Sequence, residues 1–245
     1  MIRLLPLLTA ALLAGCAATH EQQMEKAARE GELHYEMGVN ALRSGDIPVA
    51  FRELMRAQKL RPDDAEVTAA LALAWRLRGD LHKAEALYRK ALAIKPTPAM
   101  HNNFGNLLLQ MGRPAEAERQ FRIALDDPRY TRQDLAFINL GDALAAQGRY
   151  DAAIAAYRKA RIINPHQHTS RLREAEAFLA SKRKPYAVAL LLTMLRADPA
   201  DREALQMVLP LLGAEQRPEA ERLLRRFIEA ATNEADRAWA KAQLR

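Results

Sequence analysis

Residues 102–165 read NNFGNLLLQMGRPAEAERQFRIALDDPRYTRQDLAFINLGDALAAQGRYDAAIAAYRKARIINP and contain one pattern twice. Each copy has a glycine, an alanine, an aromatic residue and a proline in that order. The copies are Gly105, Ala117, Phe121 and Pro128, then Gly141, Ala153, Tyr157 and Pro165. A glycine lets two helix backbones approach closely, and a proline ends the second helix. The stretch therefore predicts two helix–turn–helix units.

The pattern continues in both directions along the chain. A first ladder, made of small residues except for Leu209 at its end, runs at steps of 34, 33, 36, 34 and 34 residues through Gly38, Ala72, Gly105, Gly141, Ala175 and Leu209. A second ladder has matching steps and a bulky residue four places after each alanine. It consists of Ala50, Ala84, Ala117, Ala153, Ala187 and Ala220. The register predicts six repeats, starting near residues 31, 65, 98, 134, 168 and 202.

Turns with glycine divide the early repeats, as SGD at 44–46 and RGD at 78–80. Together with the closing prolines, this order resembles the tetratricopeptide repeat. We therefore expect an all-α fold, a right-handed superhelical solenoid of about six such repeats with a C-terminal capping helix. The solenoid would span residues 30–232 and the cap 233–245. In the cap, Asn233 is a plausible N-cap, and Ala235, Trp239 and Ala242 have helical spacing.

Two late repeats depart from the pattern. Lys182 stands at a turn where glycine is usual, and Leu209 and Pro210 fall inside the first helix of the sixth repeat. Both departures predict irregular geometry, with neighbouring repeats that still stack.

The N-terminal segment has the character of an export signal. A single positive charge at Arg3 precedes a short apolar run, Leu4 to Leu13, and the chain's one cysteine follows at Cys16. The sequence LAGC at 13–16 resembles a bacterial lipobox. That resemblance implies a cleaved signal at 1–15, lipid on Cys16, a lipidated tether at 16–29 and, because Ala17 follows the cysteine, a periplasm-facing outer-membrane location. An ordinary signal peptide with a chance cysteine is the alternative.

Composition and motifs argue against catalysis and nucleic-acid binding. The net charge is +7, but the arginines are spread along every helical segment instead of forming one patch. Anionic lipid headgroups or an acidic partner remain possible targets of this charge. We expect His166 and His168 to lie in a surface turn, and Asp126 and Asp127 at a helix end. We therefore predict no enzyme activity, no cofactor, no metal and no small-molecule substrate.

The first helices of the early repeats offer a candidate protein-binding surface. By register, one face combines apolar and amide side chains, with Glu32, Arg43 and Arg76 at its rim. We call this surface the first-helix groove, and it comprises Tyr35, Val39, Leu42, Leu73, Leu77, Asn102 and Asn106. The alternative role for some of these side chains is packing against the second helices or beneath the N-terminal segment. Asn103 and Asn139 share a repeat position and are predicted to be structural.

A narrower resemblance rests on NN-aromatic-G at 102–105, LDDPRY at 125–130, NLG at 139–141, the six repeats and the lipobox. These features are similar to the type IV pilus biogenesis and stability lipoproteins, the pilotins. The resemblance implies a lipoprotein that binds the secretin subunit and promotes its localisation and multimerisation. Leu107, Leu108 and Leu109 stand where family members commonly have a cysteine. An adaptor for cell-wall hydrolases or synthases, another secretion system and an undetected enzyme remain alternatives.

Overall fold

The computed structural model describes the backbone of residues 5–244 and the side chains of residues 22–244. Within those residues it has thirteen α-helices and two 3₁₀ turns, Leu209–Leu211 and Ala214–Gln216. The helices are α1 Leu5–Ser44, α2 Ile47–Leu60, α3 Ala65–Arg78, α4 Leu81–Ile94, α5 Pro98–Gln110, α6 Pro114–Asp126, α7 Gln133–Ala146, α8 Tyr150–Ile163, α9 His168–Ala180, α10 Lys184–Ala197, α11 Arg202–Val208, α12 Arg217–Ala230 and α13 Glu234–Gln243.

The helices confirm the all-α fold class. The first helices of repeats two to six begin at Ala65, Pro98, Gln133, His168 and Arg202, each within one residue of the expected start. Helix α1 begins at Leu5 and so continues through the residues assigned to the signal and the tether. Those two domain boundaries stay predictions. Within the described part of the chain, no helix combines the length and apolar character needed to cross a bilayer.

The turn between the two helices of a repeat explains the recurring glycine. Gly45, Gly79, Gly112 and Gly148 all have φ between 72° and 94°, a left-handed conformation that glycine adopts without steric cost. Lys182 occupies the same conformation with φ 61°. The chain therefore keeps the turn in the fifth repeat although it lacks the usual residue there.

The chain divides after Met111 into two compact units, so α5 and α6 of the third repeat fall in different units. In the first unit, residues 1–111, α1 packs on α2 and α3, and α3 packs on α4 and α5. Its core combines Leu54, the bulky residue four places after Ala50, with small and branched side chains of α2 and α3. This cluster consists of Leu54, Ala57, Val67, Ala70, Leu71 and Ala74.

In the second unit, residues 112–245, the bulky residues four places after the second-ladder alanines lie in the interior. Phe121, Tyr157 and Leu191 are at most 2% exposed. The sixth repeat is irregular, as expected, because α11 ends at Val208 and a 3₁₀ turn containing Pro210 follows. A proline in that position removes a helical hydrogen bond.

Helix α13 is the predicted C-terminal cap. The Asn233 side chain accepts a hydrogen bond from the backbone N–H of Asp236, which confirms the N-cap. Trp239 packs edge-on against Phe227 of α12, with ring centroids 5.7 Å apart. The buried face differs from the expected one, however, since Ala240 is fully buried whereas Ala235 and Ala242 are exposed. The helix is rotated so that Ala240, beside the tryptophan, points inward.

Candidate functional site

The α1 part of the first-helix groove lies against the core. Tyr35, Val39 and Leu42 are half-buried and pack on the cluster around Leu54 and Leu71. Burial raises the pKa of the Tyr35 hydroxyl, with a smaller contribution from the nearby carboxylate of Glu66. These three side chains thus stabilise the packing of α1, which is the alternative role that the sequence left open. Their part in binding stays a prediction.

The α3 part of the groove is more accessible. Leu77 is 47% exposed, whereas Leu73, one turn earlier, is half-buried. Arg76 Nη1 donates to Gln110 Oε1 over 3.4 Å, which joins α3 to α5. Burial raises the pKa of the Tyr88 hydroxyl above its usual range, and the positive charge of Arg76 opposes that shift. Arg76 therefore connects the rim of the groove to α5.

The two asparagines of α5 differ in access. Asn102 is 7% exposed, so its amide lies inside the helix packing, while Asn106 is half-buried. Among the seven predicted residues, Leu77 is the one that is more than a third exposed. Rim residue Glu32 pairs with Arg61, the residue directly after α2, and Arg43 Nη1 donates to Asn40 Oδ1 at 3.5 Å. The accessible apolar side chain of the first-helix groove is therefore Leu77 of α3, and the role of the groove in binding stays a prediction.

A buried carboxylate beneath α1 was not predicted. Glu53 is 1% exposed; its Oε1 accepts from Arg52 Nε at 2.8 Å, and its Oε2 lies 2.8 Å from His34 Nδ1. The hydrogen bond from Arg52, with a further one to His34 and the charge of Arg56, holds the pKa of Glu53 below its usual range although burial acts in the opposite direction. No repeat ladder includes Glu53, so the sequence pattern gave no signal for it.

A polar cluster on the α7 and α9 side of the second unit was also missed. The Tyr157 hydroxyl donates to Asp142 Oδ1 at 2.8 Å, and Arg173 Nε lies 3.6 Å from the same oxygen. Arg173 also pairs with Glu176 at 2.8 Å. Burial raises the pKa of both Asp142 and Tyr157. These residues border a cavity of about 400 Å³ that also contacts Tyr150 and Ala177.

Two of the four residues considered for chemistry, His168 and Asp127, have structural contacts. His168 is the first residue of α9 and not part of the turn in which it was expected. His168 Nε2 lies 2.8 Å from Asp201 Oδ2, and Asp201 also caps α11 by accepting from the backbone N–H of Ala204. Asp127 accepts from both the side chain and the backbone of Arg129, and these hydrogen bonds lower its pKa. In residues 22–244, no group of three or more His, Cys, Asp or Glu side chains is arranged to hold a metal ion. Cys16 lies outside the residues whose side chains are described.

Helix pairs repeated every 33 to 36 residues, with small residues buried at their contacts, define a helical repeat protein of the kind that binds other proteins. The tetratricopeptide repeat family profile matches residues 35–98 and 102–168, and a second profile of the family matches 144–209. The chain therefore belongs to the tetratricopeptide repeat family.

The comparisons also identify individual relatives. The chain is 30% identical over 134 residues to the type IV pilus assembly protein PilF of Pseudomonas aeruginosa. This match covers 53% of this chain and 53% of that protein. The match thus spans about half the length of this curated relative. The solved structure of P. aeruginosa PilF is similar with a TM-score of 0.70 and 21% identity, covering 90% of this chain and 99% of that one.

A second solved structure is similar over most of its length. PilW, a widely conserved type IV pilus biogenesis factor, has a TM-score of 0.65 and 23% identity, covering 87% of this chain and 91% of that one. These two structural likenesses establish the fold. The sequence match to PilF relates the chain to type IV pilus assembly factors.

Proposed function

We propose that this protein is an outer-membrane-anchored lipoprotein that acts as a scaffold in type IV pilus biogenesis. In this proposal it binds the secretin subunit and promotes its localisation and multimerisation, the role of a pilotin. The observation that carries the proposal is the 30% identity over 134 residues to the pilus assembly protein PilF. The lipobox-like LAGC ending at Cys16 supports the membrane anchor.

The scaffold needs no chemistry of its own. Lipid on Cys16 would hold the protein at the membrane, since two or more acyl chains anchor a protein stably. A secretin segment bound along α3, with an apolar side chain against Leu77, would then be concentrated at the same surface. Tethering of this kind raises the effective concentration of the bound subunits and so favours assembly.

The exposed position of Leu77 makes a clean test possible. Leu77→Glu puts a charge on an accessible part of the first-helix groove, and it leaves the core cluster unchanged because Leu77 is 47% exposed. Met55→Glu is the matched control, because Met55 is 53% exposed and lies on α2, outside the predicted groove. Both variants are expected to retain the helical circular dichroism of the parent protein.

The measurement is a detergent pull-down of the tagged full-length protein with identification of the co-purifying outer-membrane proteins. We expect a secretin with the parent protein and with Met55→Glu, and at least a tenfold loss with Leu77→Glu. A secretin that co-purifies equally with all three would move the binding site elsewhere on the chain. Cell-wall enzymes without any secretin would instead favour the alternative, an adaptor for cell-wall hydrolases or synthases.

The anchor is tested separately by Cys16→Ser. We expect this variant to fold with the same helical content and to leave the membrane fraction. Unchanged fractionation would contradict the lipid anchor without affecting the proposed groove.

A further inference from the structure

A cavity bordered by α7, α8 and α9 of the second unit combines carboxylates with aromatic side chains. Its volume is about 400 Å³, within the roughly 300–1,000 Å³ range of pockets that hold ligands. Three alanines leave room in its wall, and the larger lining residues are Asp142, Tyr150, Tyr157, Arg173 and Glu176. We call this site the Asp142 cavity.

The two carboxylates occupy a repeat position that the first-helix groove also uses. Val39, Leu73 and Asn106 each directly follow a residue of the first ladder, and in the fourth and fifth repeats Asp142 and Glu176 do the same. This position of the first helix therefore carries an apolar or amide side chain in three repeats and a carboxylate in the next two. The carboxylates suit a different kind of group from the one that suits the apolar positions.

The charges that line the cavity do not balance. They are two carboxylates and one guanidinium, which sum to a net charge of −1. Arg173 Nη1 pairs with Glu176 at 2.8 Å, whereas Arg173 Nε lies 3.6 Å from Asp142 Oδ1. Among residues 22–244, Arg173 is the one cation within 4 Å of the Asp142 carboxylate. Asp142 therefore lacks a close ion pair.

The neighbouring cations do not supply the missing charge. Arg149, which precedes α8, pairs with Glu118 at 2.6 Å. Arg183, in the turn after α9, pairs with Asp151 at 2.7 Å. Lys182 of the same turn is not one of the residues that line the cavity. The surplus negative charge thus belongs to the cavity itself.

Burial adds to the cost of this charge. It raises the pKa of Asp142, although the hydrogen bond from Tyr157 and the charge of Arg173 act in the opposite direction. The ionised carboxylate is therefore unfavourable in the free protein, and a cation brought into the cavity would relieve that penalty.

We propose that the Asp142 cavity binds a lysine or arginine side chain of a partner protein. The cation lies between the carboxylates of Asp142 and Glu176, and the ring of Tyr150 contacts the methylene groups behind it. Because the whole chain has a net charge of +7, a basic segment is repelled elsewhere and attracted at this point. The proposal does not depend on the first-helix groove or on the identity of its partner.

Two substitutions remove the charge and keep the shape of the cavity. Asp142→Asn retains an acceptor for Tyr157, and Glu176→Gln retains the length of the side chain. Asp142 is half-buried and Glu176 is exposed, so both variants are expected to keep the helical circular dichroism of the parent protein. Glu229→Gln is the matched control, since Glu229 is an exposed carboxylate on α12 that does not line the cavity.

The probe is a phage-displayed library of random peptides. It is first depleted on the doubly substituted protein, Asp142→Asn with Glu176→Gln, and then selected on the full-length parent protein in detergent. This order retains peptides that need the two carboxylates, and we expect those peptides to be enriched in Lys and Arg. A selected pool without basic enrichment, or no selected peptides, would overturn the proposal.

Labelled peptides from the selection then measure the contribution of each carboxylate. They should bind at least tenfold more weakly to Asp142→Asn and to Glu176→Gln, and equally well to Glu229→Gln and to Leu77→Glu. Affinity that survives both cavity substitutions would contradict the proposal. A loss with Leu77→Glu instead would assign the peptides to the first-helix groove, so this result is separate from the outcome of the secretin pull-down.

Spermidine distinguishes a free amine from the side chain of a protein, since it has the same ammonium chemistry without a peptide backbone. We expect the selected peptides to bind at least tenfold more tightly than spermidine in calorimetric titrations. If spermidine binds more tightly than every selected peptide, and Asp142→Asn abolishes that binding, the cavity is a site for a small amine and the proposal is wrong.

Discussion

The Tyr157 hydroxyl donates a 2.8 Å hydrogen bond to Asp142 and thereby joins α8 to α7. The ring that carries this hydroxyl lies directly over Gly141, where an added Cβ would be 2.3 Å from Tyr157 Cε1. Because Gly141 has no side chain, the Tyr157 ring can enter deeply between the helices, and the hydrogen bond to Asp142 fixes the position of its hydroxyl. The glycine of the repeat and the polar contact therefore position the same side chain.

Replacing this glycine tests the close approach. Gly141→Ala is expected to lower the free energy of unfolding by about 2 kcal/mol, because the added methyl group must displace the Tyr157 ring, which is only 2% exposed. Gly213→Ala is the control, since no atom lies within 4 Å of a Cβ built there and its φ of −75° suits any residue. Urea unfolding measures the stability of both variants. Equal midpoints for the two variants would contradict the inferred packing.

The raised pKa of Asp142 predicts that the difference in stability between the parent protein and Asp142→Asn depends on pH. Burial raises this pKa, so the folded protein binds the proton more tightly than the unfolded chain does. Stability therefore falls as the pH rises from the unfolded pKa, about 3.9, through the folded pKa. Asp142→Asn keeps an acceptor for Tyr157 and removes this penalty. We expect the variant to be more stable than the parent at pH 7 and no more stable below about pH 3.9.

Urea unfolding of the two proteins across that pH range provides the measurement. A variant less stable than the parent at pH 7 would show that the carboxylate, in its ionised form, contributes more to the Tyr157 and Arg173 contacts than its burial costs.

The contribution of Glu53 to stability should depend on pH in the opposite direction to that of Asp142. Its pKa is lowered chiefly by the hydrogen bond from Arg52, so its stabilisation is present above the unfolded pKa, about 4.3, and is lost as the pH falls through the folded pKa. Glu53→Gln is expected to lose about 2 kcal/mol at pH 7, because a buried, charge-assisted set of hydrogen bonds is weakened. The deficit should shrink at acid pH.

Glu221→Gln supplies the control for Glu53, since Glu221 pairs with Arg217 one turn away on an exposed part of α12. Exposed pairs of this kind contribute about 0–1 kcal/mol. A pH-independent loss in Glu53→Gln would mean that its contribution is not linked to ionisation.

The repeat pattern predicted the helices because the residues that set it act locally. Gly79 and Gly148 adopt the left-handed turn, and the helices begin where the register put them. The pattern indicated which face of a helix a side chain occupies but not how deeply it is covered. That is why Leu42 and Leu77 were assigned to one groove although their exposure differs.

Polar contacts between residues far apart in the chain could not be predicted from the sequence, for a related reason. His34 and Glu53 are separated by 19 residues, and their contact depends on how α1 lies on α2. Tyr157 and Asp142 are separated by 15 residues, and their hydrogen bond depends on how α8 lies on α7. Three-dimensional packing creates both features, and no spacing along the chain signals them.

The difference between Leu42 and Leu77 leads to the last prediction. Leu42 is half-buried and packs against the cluster that contains Leu71, so Leu42→Glu brings a carboxylate to the core and should lower the free energy of unfolding by about 2 kcal/mol or more. Leu77→Glu at the exposed end of α3 should change it by less than about 0.5 kcal/mol. Urea unfolding of both variants separates the two roles. If Leu42→Glu is as stable as the parent protein, Leu42 is free to take part in binding, and the first-helix groove is as wide as the sequence predicted.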